Sequence, residues 1–600
     1  MCGFSFILNK QTVPVEHRQL EEITRLIAHR GPDGEGFYHY KNAGLGHRRL
    51  SIIDLSSAGA QPMHYMGKYS IVFNGEIYNY VELKTDLRQR GYIFDNQTDT
   101  EVIMAAYDCW GVNCLSRFNG MWAFVLLDKS RDEIFCSRDR FGVKPFYVLQ
   151  TSKAWIFGSE IKQLLPFLEK RRINQSVLAE YLVLGFEEVR DETFFSDILK
   201  LPAGHYIKGP LNDFHYKPES YYQLQPAKHP AGLKQAELTA MMEALLDDAI
   251  ALRLRSDVQV GTCLSGGLDS STIASMAGSR FQTITGRQFL AITASSTDPL
   301  NDEKHFAEMV VNHCNLKWHV TSPATDDFMQ VVDQVIQLQE EPFGSASIVM
   351  QYFVMKAAHA LNCPVMLDGQ GGDETLLGYE RYYPAYLAQL PVSKKWQAAQ
   401  MIAKNSKWSL MQLLKAAIYF TQPKVRLARQ KKRFSFLKNG LIDQLNPDLL
   451  FDTARAYGSL TDLQKIEISR TQLPHLLRYE DKNSMFFGIE TRLPFLDYRF
   501  IEASLGLPAD LKINKGFTKY VLREIAAKKL PAEIAWRKVK YGFEAPSKQW
   551  LQLPAMQEKI NKSAFIHAIC SKVPIDTADL NVRWKLFNLA RWSEMYEIEL

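Results

Sequence analysis

The hydrophobic period of this chain changes near residue 235, and that change restricts it to two kinds of architecture in series. The first 200 residues carry short apolar or alternating runs, among them Tyr69–Phe73, Ala123–Leu127 and Ala154–Phe157. Gly, Asn, Asp or Lys bounds each run, a strand-and-turn pattern. Two helical patterns, Val15–His29 and Asp99–Trp110, interrupt them, which predicts a layered α+β domain. Between Leu201 and Gly232 the chain turns glycine- and proline-rich and loses its period. We therefore divide it into a first domain (1–208), a linker (209–234) and a second domain (235–600).

The second domain opens with an amphipathic helix over Gln235–Leu254. Strands are expected at 258–264, 288–294, 317–320 and 364–367. Helices over 270–279, 302–313, about 325–339 and 346–361 separate them. Such alternation predicts an α/β fold with a parallel sheet wrapped by helices. Residues 380–600 read as almost wholly helical, with Trp584, Phe587 and Trp592 as core contacts.

Charge and cysteine content exclude several classes. A net charge of +5, from 71 basic and 66 acidic residues, is too balanced for a nucleic-acid binder. The one basic cluster, Lys424–Arg433, reads as a solvated helix face. None of the eight cysteines forms a CxxC pair or a zinc spacing. No signal peptide and no apolar stretch of membrane-spanning length is found, so a soluble cytoplasmic protein is expected.

The chemistry concentrates at three places. Cys2 would carry both a thiol and the α-amine once Met1 is removed. The thiolate attacks a carbonyl, and an amine with a pKa of about 7.7–8.0 moves the proton near neutrality. Leu264-Ser265-Gly266-Gly267-Leu268-Asp269-Ser270-Ser271 lies between a predicted strand and a predicted helix. Paired glycines let amides approach an anion, and the serines and helix start add donors. The loop lacks the Lys of a Walker motif, and Asp269 could stand beside phosphates only across a cation such as Mg²⁺. A second acidic turn, Asp368-Gly369-Gln370-Gly371-Gly372-Asp373-Glu374, follows the strand at 364–367. Ligands collect at strand carboxyl ends, so Asp269 and Asp373 are expected to share one metal–pyrophosphate. Lys519 is a candidate further charge for the triphosphate.

Several motifs together give a specific resemblance. They are Met1-Cys2-Gly3, His29–Asp33, Arg49–Ile52, Asn74–Asn79 and Thr98–Glu101 in the first domain. In the second they are the SGGLDS loop, the Gly369–Glu374 turn, Gly488–Asp497 and the Lys519 segment. The chain resembles the glutamine-hydrolysing asparagine synthetases of the bacterial B type, within the class II (N-terminal nucleophile) amidotransferases. The resemblance implies an αββα glutaminase sandwich fused to an ATP-pyrophosphatase domain. Cys2 would then attack the glutamine side-chain amide, with the Asn74 side chain and the Gly75 amide as oxyanion hole. Arg49 and Asp99 would hold the substrate's carboxylate and ammonium, with Glu76 lining the pocket. Ammonia would pass through an internal channel to a site where ATP and Mg²⁺ activate a carboxylate as an acyl-adenylate. There Leu264, Ser265, Gly266, Gly267, Asp269 and Ser270 would bind ATP together with Ile292, Asp368 and Gly369. The metal would rest on Asp269 and Asp373, Lys519 would steady charge during adenylation, and Gln370, Glu374 and Arg492 would adjoin the acceptor. The implied partners are glutamine, ATP and L-aspartate or another carboxylate, without nucleic acid or membrane; a homodimer is left open.

One departure bears on the acceptor. Gln370 stands where the family usually carries an acidic residue, and Asp368 replaces a small serine. A neutral amide cannot serve as a base. Adenylation is untouched by these changes, whereas the acceptor is left between aspartate and a carboxylate such as a sugar uronate. A lactam-forming reaction would leave the Cys2, Arg49, Asn74 and Asp99 set redundant. A non-enzymatic remnant would predict decay at one centre.

Overall fold

Two six-stranded antiparallel sheets lie face to face in the first third of the chain. The computed structural model describes residues 2–230, 232–296, 302–538, 546–574 and 579–600, apart from the Ser547 side chain. In one sheet the strand Gly3–Asn9 runs between Ala154–Gly158 and Ala43–Arg49. In the other, Tyr69–Ile77 pairs with Gly120–Asp128 over its full length. The two-residue period of a strand sets the layers. Phe4, Phe6 and Leu8 point between the sheets with Val72, Val125 and Phe157. Ile7 points outward onto Leu20 and Ile23 of the helix His17–Arg25. Helices Tyr80–Gln89 and Thr100–Trp110 cover the far face of the second sheet, which completes the αββα sandwich.

The second domain carries a five-stranded sheet, every neighbouring pair parallel. Its order is Lys317–Thr321, Leu290–Ala294, Val260–Cys263, Val365–Leu367, Glu490–Arg492. The chain order reverses between Val260–Cys263 and Val365–Leu367, and a crevice opens at the carboxyl ends of such a pair. Both glycine-rich turns leave those two strands.

Three sequence expectations need correction. Among the described residues the stretch after 380 is almost wholly helical, as expected, but it also supplies the unforeseen strand Glu490–Arg492, the edge strand beside Val365–Leu367. Its side chains are charged or polar and nevertheless buried, so neither length nor hydropathy marked it. The helices Tyr80–Gln89 and Gln175–Ala179 were also missed. The turn-rich stretch holds the strands His205–Pro210 and Glu219–Ser220, which extend the second sheet.

The two domains share a core. Phe194 and Phe195 pack edge-on against Trp592 of the helix Leu580–Met595. Trp584, Phe587 and Trp592 are all buried, as their spacing predicts.

Candidate active sites

Cys2 lies at the start of the strand Gly3–Asn9, buried against the neighbouring sheet. Its backbone N–H donates to Asn74 Oδ1 at 3.4 Å. That contact turns the Asn74 amide so that Nδ2, fully buried, has no partner among the described residues. An unpaired buried N–H₂ costs roughly 1–3 kcal/mol, and an oxyanion formed at Cys2 is a group that would repay it. Gly75 beside it admits no side chain, since a Cβ there would stand 2.1 Å from Met121 O. Burial pushes the Cys2 thiol above its ordinary value, and the nearby Arg49 guanidinium opposes this.

Asp99 and Glu76 converge near this point. Asp99 Oδ2 accepts the Ile77 N–H at 2.8 Å. Burial pushes the Asp99 carboxyl up to about 6, the Ile77 N–H opposing it. Glu76 is raised well above the carboxylate range by burial, with Asp99 adding to the effect. Arg49 donates to the backbone carbonyls of Asp54 and Ser56. Its guanidinium is thus anchored to the loop after its own strand.

A strand of the second domain forms the wall behind this pocket. Side chains alternate along Glu490–Arg492. Arg492 is fully buried and pairs with Glu490 at 2.5 Å and with Glu76 at 3.6 Å. Thr491 points the other way, toward Glu480. A second ionic contact binds the domains nearby. Arg30 donates to Asp481 at 2.8 Å and to Glu160 at 2.9 Å, and Lys144 reaches Asp481 at 3.0 Å. Arg30 Nε also donates to the Cys2 carbonyl at 3.2 Å.

The crevice of the parallel sheet opens into a cavity of about 770 Å³. Leu264, Ser265, Gly267, Asp269, Ser270 and Ile292 line it from one strand pair. Asp368, Gly369, Gln370 and Asp373 line it from the opposing turn. Within the loop, Ser265 Oγ and Ser270 Oγ stand 3.0 Å apart, and Gly267 N–H donates to Ser265 Oγ. Gly266 has φ +74°, and a Cβ there would sit 2.7 Å from Ala307 N. The helix Leu268–Thr285 begins at this loop and aims its first amides at the crevice. The two turns touch: a Cβ on Gly369 would meet Ser270 N at 3.1 Å.

Lys519 joins them. Its Nζ contacts Asp269 Oδ2 and lies 2.6 Å from Asp373 Oδ1. The second oxygen of Asp269, Oδ1, is buried and without a partner among the described residues. Two carboxylates sharing one ammonium, with one orphaned oxygen, form a donor set that fits a hard divalent cation.

Two residues expected beside the acceptor lie elsewhere. Arg492 is walled off from the cavity by its ion pairs with Glu490 and Glu76 and by the carbonyls of Arg253 and Arg255. Glu374 turns away from the crevice and accepts the Tyr379 hydroxyl at 2.6 Å. Burial pushes its carboxyl up to about 7, with Asp373 adding to it. Two groups not foreseen do line the cavity: Glu480, and the segment Leu182–Glu187 of the first domain. The unbroken polar run Arg478-Tyr479-Glu480-Asp481-Lys482, inside a helix that also carries Leu473 and Leu477, was the available signal for the first. The basic cluster is only partly a solvated face, because Arg426, Gln430 and Arg433 also line the cavity.

Comparison with known proteins gives a consistent result. A family model described as asparagine synthase matches residues 241–567, and one described as a glutamine amidotransferase domain matches residues 1–222. A Bacillus subtilis (strain 168) protein named asparagine synthetase [glutamine-hydrolyzing] 1 is 30% identical over 578 residues, which cover 92% of this chain and 88% of that protein. Another from the same organism, asparagine synthetase [glutamine-hydrolyzing] 3, is 28% identical and covers 90% of this chain and 86% of its own. A Gibberella zeae protein named Amidase chry2 is 27% identical, covering 89% of this chain and 85% of its own.

Proposed function

We propose a function from the premise that this chain belongs to the asparagine synthase family and carries a glutamine amidotransferase domain ahead of the synthase domain. It hydrolyses glutamine at Cys2 and uses the ammonia to convert L-aspartate to L-asparagine at the expense of ATP. The observation that carries this reading is the convergence of Asp269, Asp373 and Lys519 where the two glycine-rich turns meet. An anion-binding loop, a cation-binding pair and a lysine are what adenylation of a carboxylate requires.

In the first domain Cys2 Sγ attacks the glutamine amide carbon, and Asn74 Nδ2 and the Gly75 N–H receive the developing oxyanion. The α-amine of Cys2, exposed once Met1 is removed, passes the proton to the leaving ammonia. Arg49 and Asp99 match the carboxylate and ammonium of the substrate. In the second domain the Ser265–Ser270 loop cradles the phosphates, and Lys519 stabilises charge as the acceptor carboxylate attacks the α-phosphorus. Asp269 and Asp373 would hold Mg²⁺, which supplies neutralising charge to the pyrophosphate when bound. The eight thiols, none of them in a disulfide, support a reducing cytoplasmic setting.

One observation favours a second acceptor. Arg426, Gln430 and Arg433 also line the cavity, together with Phe420 and Tyr457. Cationic and aromatic groups in the lining suit a larger anionic acceptor such as a sugar uronate. Acceptor-dependent exchange of pyrophosphate into ATP separates the two. L-aspartate should support exchange and yield asparagine, AMP and pyrophosphate in equal amounts. Exchange with uronates and none with aspartate would replace the first reading by the second.

A further inference from the structure

Attack of ammonia on an acyl-adenylate places a positive nitrogen on the tetrahedral carbon, and a proton must leave before AMP departs. On the turn Asp368–Glu374, the position expected to carry an acid presents the neutral Gln370 to the cavity. Other carboxylates lining the cavity are already engaged. Asp269 and Asp373 share Lys519. Glu467 pairs with Arg381 at 2.6 Å, and Glu187 with Arg478 at 3.2 Å. Asp368 folds back on its own turn, with Oδ1 accepting the Gln370 N–H at 3.1 Å.

Glu480 is different. It lines the same cavity and is only 3% exposed. Gln351 donates to its Oε2, while Oε1 is buried and has no partner within hydrogen-bond distance among the described residues. No cation lies within salt-bridge distance of it among the described residues. Its neighbours are Asp368, at the end of the strand Val365–Leu367, and the Thr491 side chain of the strand Glu490–Arg492, with the Lys144 ammonium acting on it from the first domain. The next residue in its helix, Asp481, grips Arg30, whose Nε in turn holds the Cys2 carbonyl. Glu480 therefore stands on the side of the cavity that faces the glutaminase domain, from which the nitrogen would come.

We propose that Glu480 is the base that takes the proton from ammonia as it attacks the acyl-adenylate, the role that Gln370 cannot fill. The assignment rests on the adenylating function proposed above. In the step, the nitrogen lone pair forms the C–N bond and one N–H proton passes to Glu480 Oε1. The C–O bond to the phosphate then breaks with its electron pair, and AMP leaves. Acyl-adenylate, ammonia and carboxylate become amide, AMP and carboxylic acid, so atoms and charge balance. Water takes the proton from Glu480 before the next turnover. Burial, reinforced by Asp368, raises this carboxyl well above the ordinary carboxylate range, so its ionised form is a stronger base than a solvated carboxylate.

The test compares three activities of the full-length protein with ATP and MgCl₂: glutamine hydrolysis, L-aspartate-dependent pyrophosphate exchange, and amide formation from ammonium chloride. Glu480→Gln keeps an oxygen to accept from Gln351 and cannot take a proton. It should leave hydrolysis and exchange within about threefold of wild type and lower amide formation about 10²-fold or more. Glu480→Asp, which keeps the charge, should fall between them. Adding Gln370→Glu to Glu480→Gln should restore amide formation at least about tenfold, an effect that a merely structural Glu480 would not produce. Amide formation by Glu480→Gln within about threefold of wild type would overturn the proposal, as would a parallel loss of exchange. A wild-type protein with no aspartate-dependent exchange would count against the proposed acceptor instead; the same comparison with D-galacturonate then decides the role of Glu480.

Discussion

The glutaminase pocket and the synthetase cavity meet the cost of buried charge in opposite ways. Around Cys2 the acids are held toward the neutral state. Burial raises Asp99 to about 6 and lifts Glu76 well above the carboxylate range, and Asn74 presents a donor that meets no acceptor among the described residues. Around Lys519 the charges are kept and paired, with one ammonium shared by two carboxylates at the mouth of two loops. The first arrangement suits a substrate that is itself a zwitterion and brings its own counter-charges. The second suits a highly charged nucleotide, because a preformed ionic cluster can exchange one cation for another with little net desolvation. The difference teaches that the two centres can be disabled separately, although the strand Glu490–Arg492 lies between them.

The sharpest break in that comparison is at Cys2. Cys2→Ala should lower glutamine hydrolysis by about 10⁴-fold or more while acceptor-dependent exchange and ammonium-supported synthesis hold at wild-type levels. A coupled loss of exchange in that variant would mean that the two centres are not independent. Asp269→Asn reverses the pattern. It removes the charge that Lys519 shares and a carboxylate oxygen that has no other partner among the described residues. Exchange should fall by about 10²–10³-fold with hydrolysis spared, as steady-state assays of each half-reaction would register. Unchanged exchange would sink the cation role of Asp269.

Much of this was legible before any coordinates. Local signals sufficed for the glycine-rich loop, because a strand, a tight turn and a helix start lie contiguous in sequence; Leu264 and Ile292, both assigned to the nucleotide, share a backbone hydrogen bond. The meeting of the two turns was also inferable, since parallel strands align their carboxyl ends. Glu490, Thr491 and Arg492 were noted as a motif but not as a strand, because a three-residue buried strand of polar residues violates the hydrophobic pattern by which strands are recognised. Its charges are tolerated through their mutual pair and through partners far earlier in the chain, Glu76 and the Arg253 and Arg255 carbonyls, and no local window contains the distant ones. Arg492 and Glu374 were misplaced for the same reason. Motif proximity brought them near the site, whereas the direction of each side chain is set by its partners in the fold, Glu490, Glu76 and the Arg253 and Arg255 carbonyls for one and Tyr379 for the other.

The smallest expected effect tests whether the wall between the centres transmits anything. Asp99 pairs with the substrate ammonium only when ionised, and its carboxyl is pushed up to about 6 by burial, with Glu490 among the groups that raise it. As pH falls through that value the carboxylate is protonated, so the KM for glutamine should rise about tenfold between pH 7.5 and pH 5. Asp99→Asn should show a high KM that is flat over the same range. Glu490→Gln, a change made wholly within the synthetase strand, removes a negative charge from beside Asp99 and should move the midpoint downward. A KM profile unmoved by Glu490→Gln would show that the strand is a mechanical partition; a downward shift would show that the synthetase domain tunes the affinity of the glutaminase for its substrate.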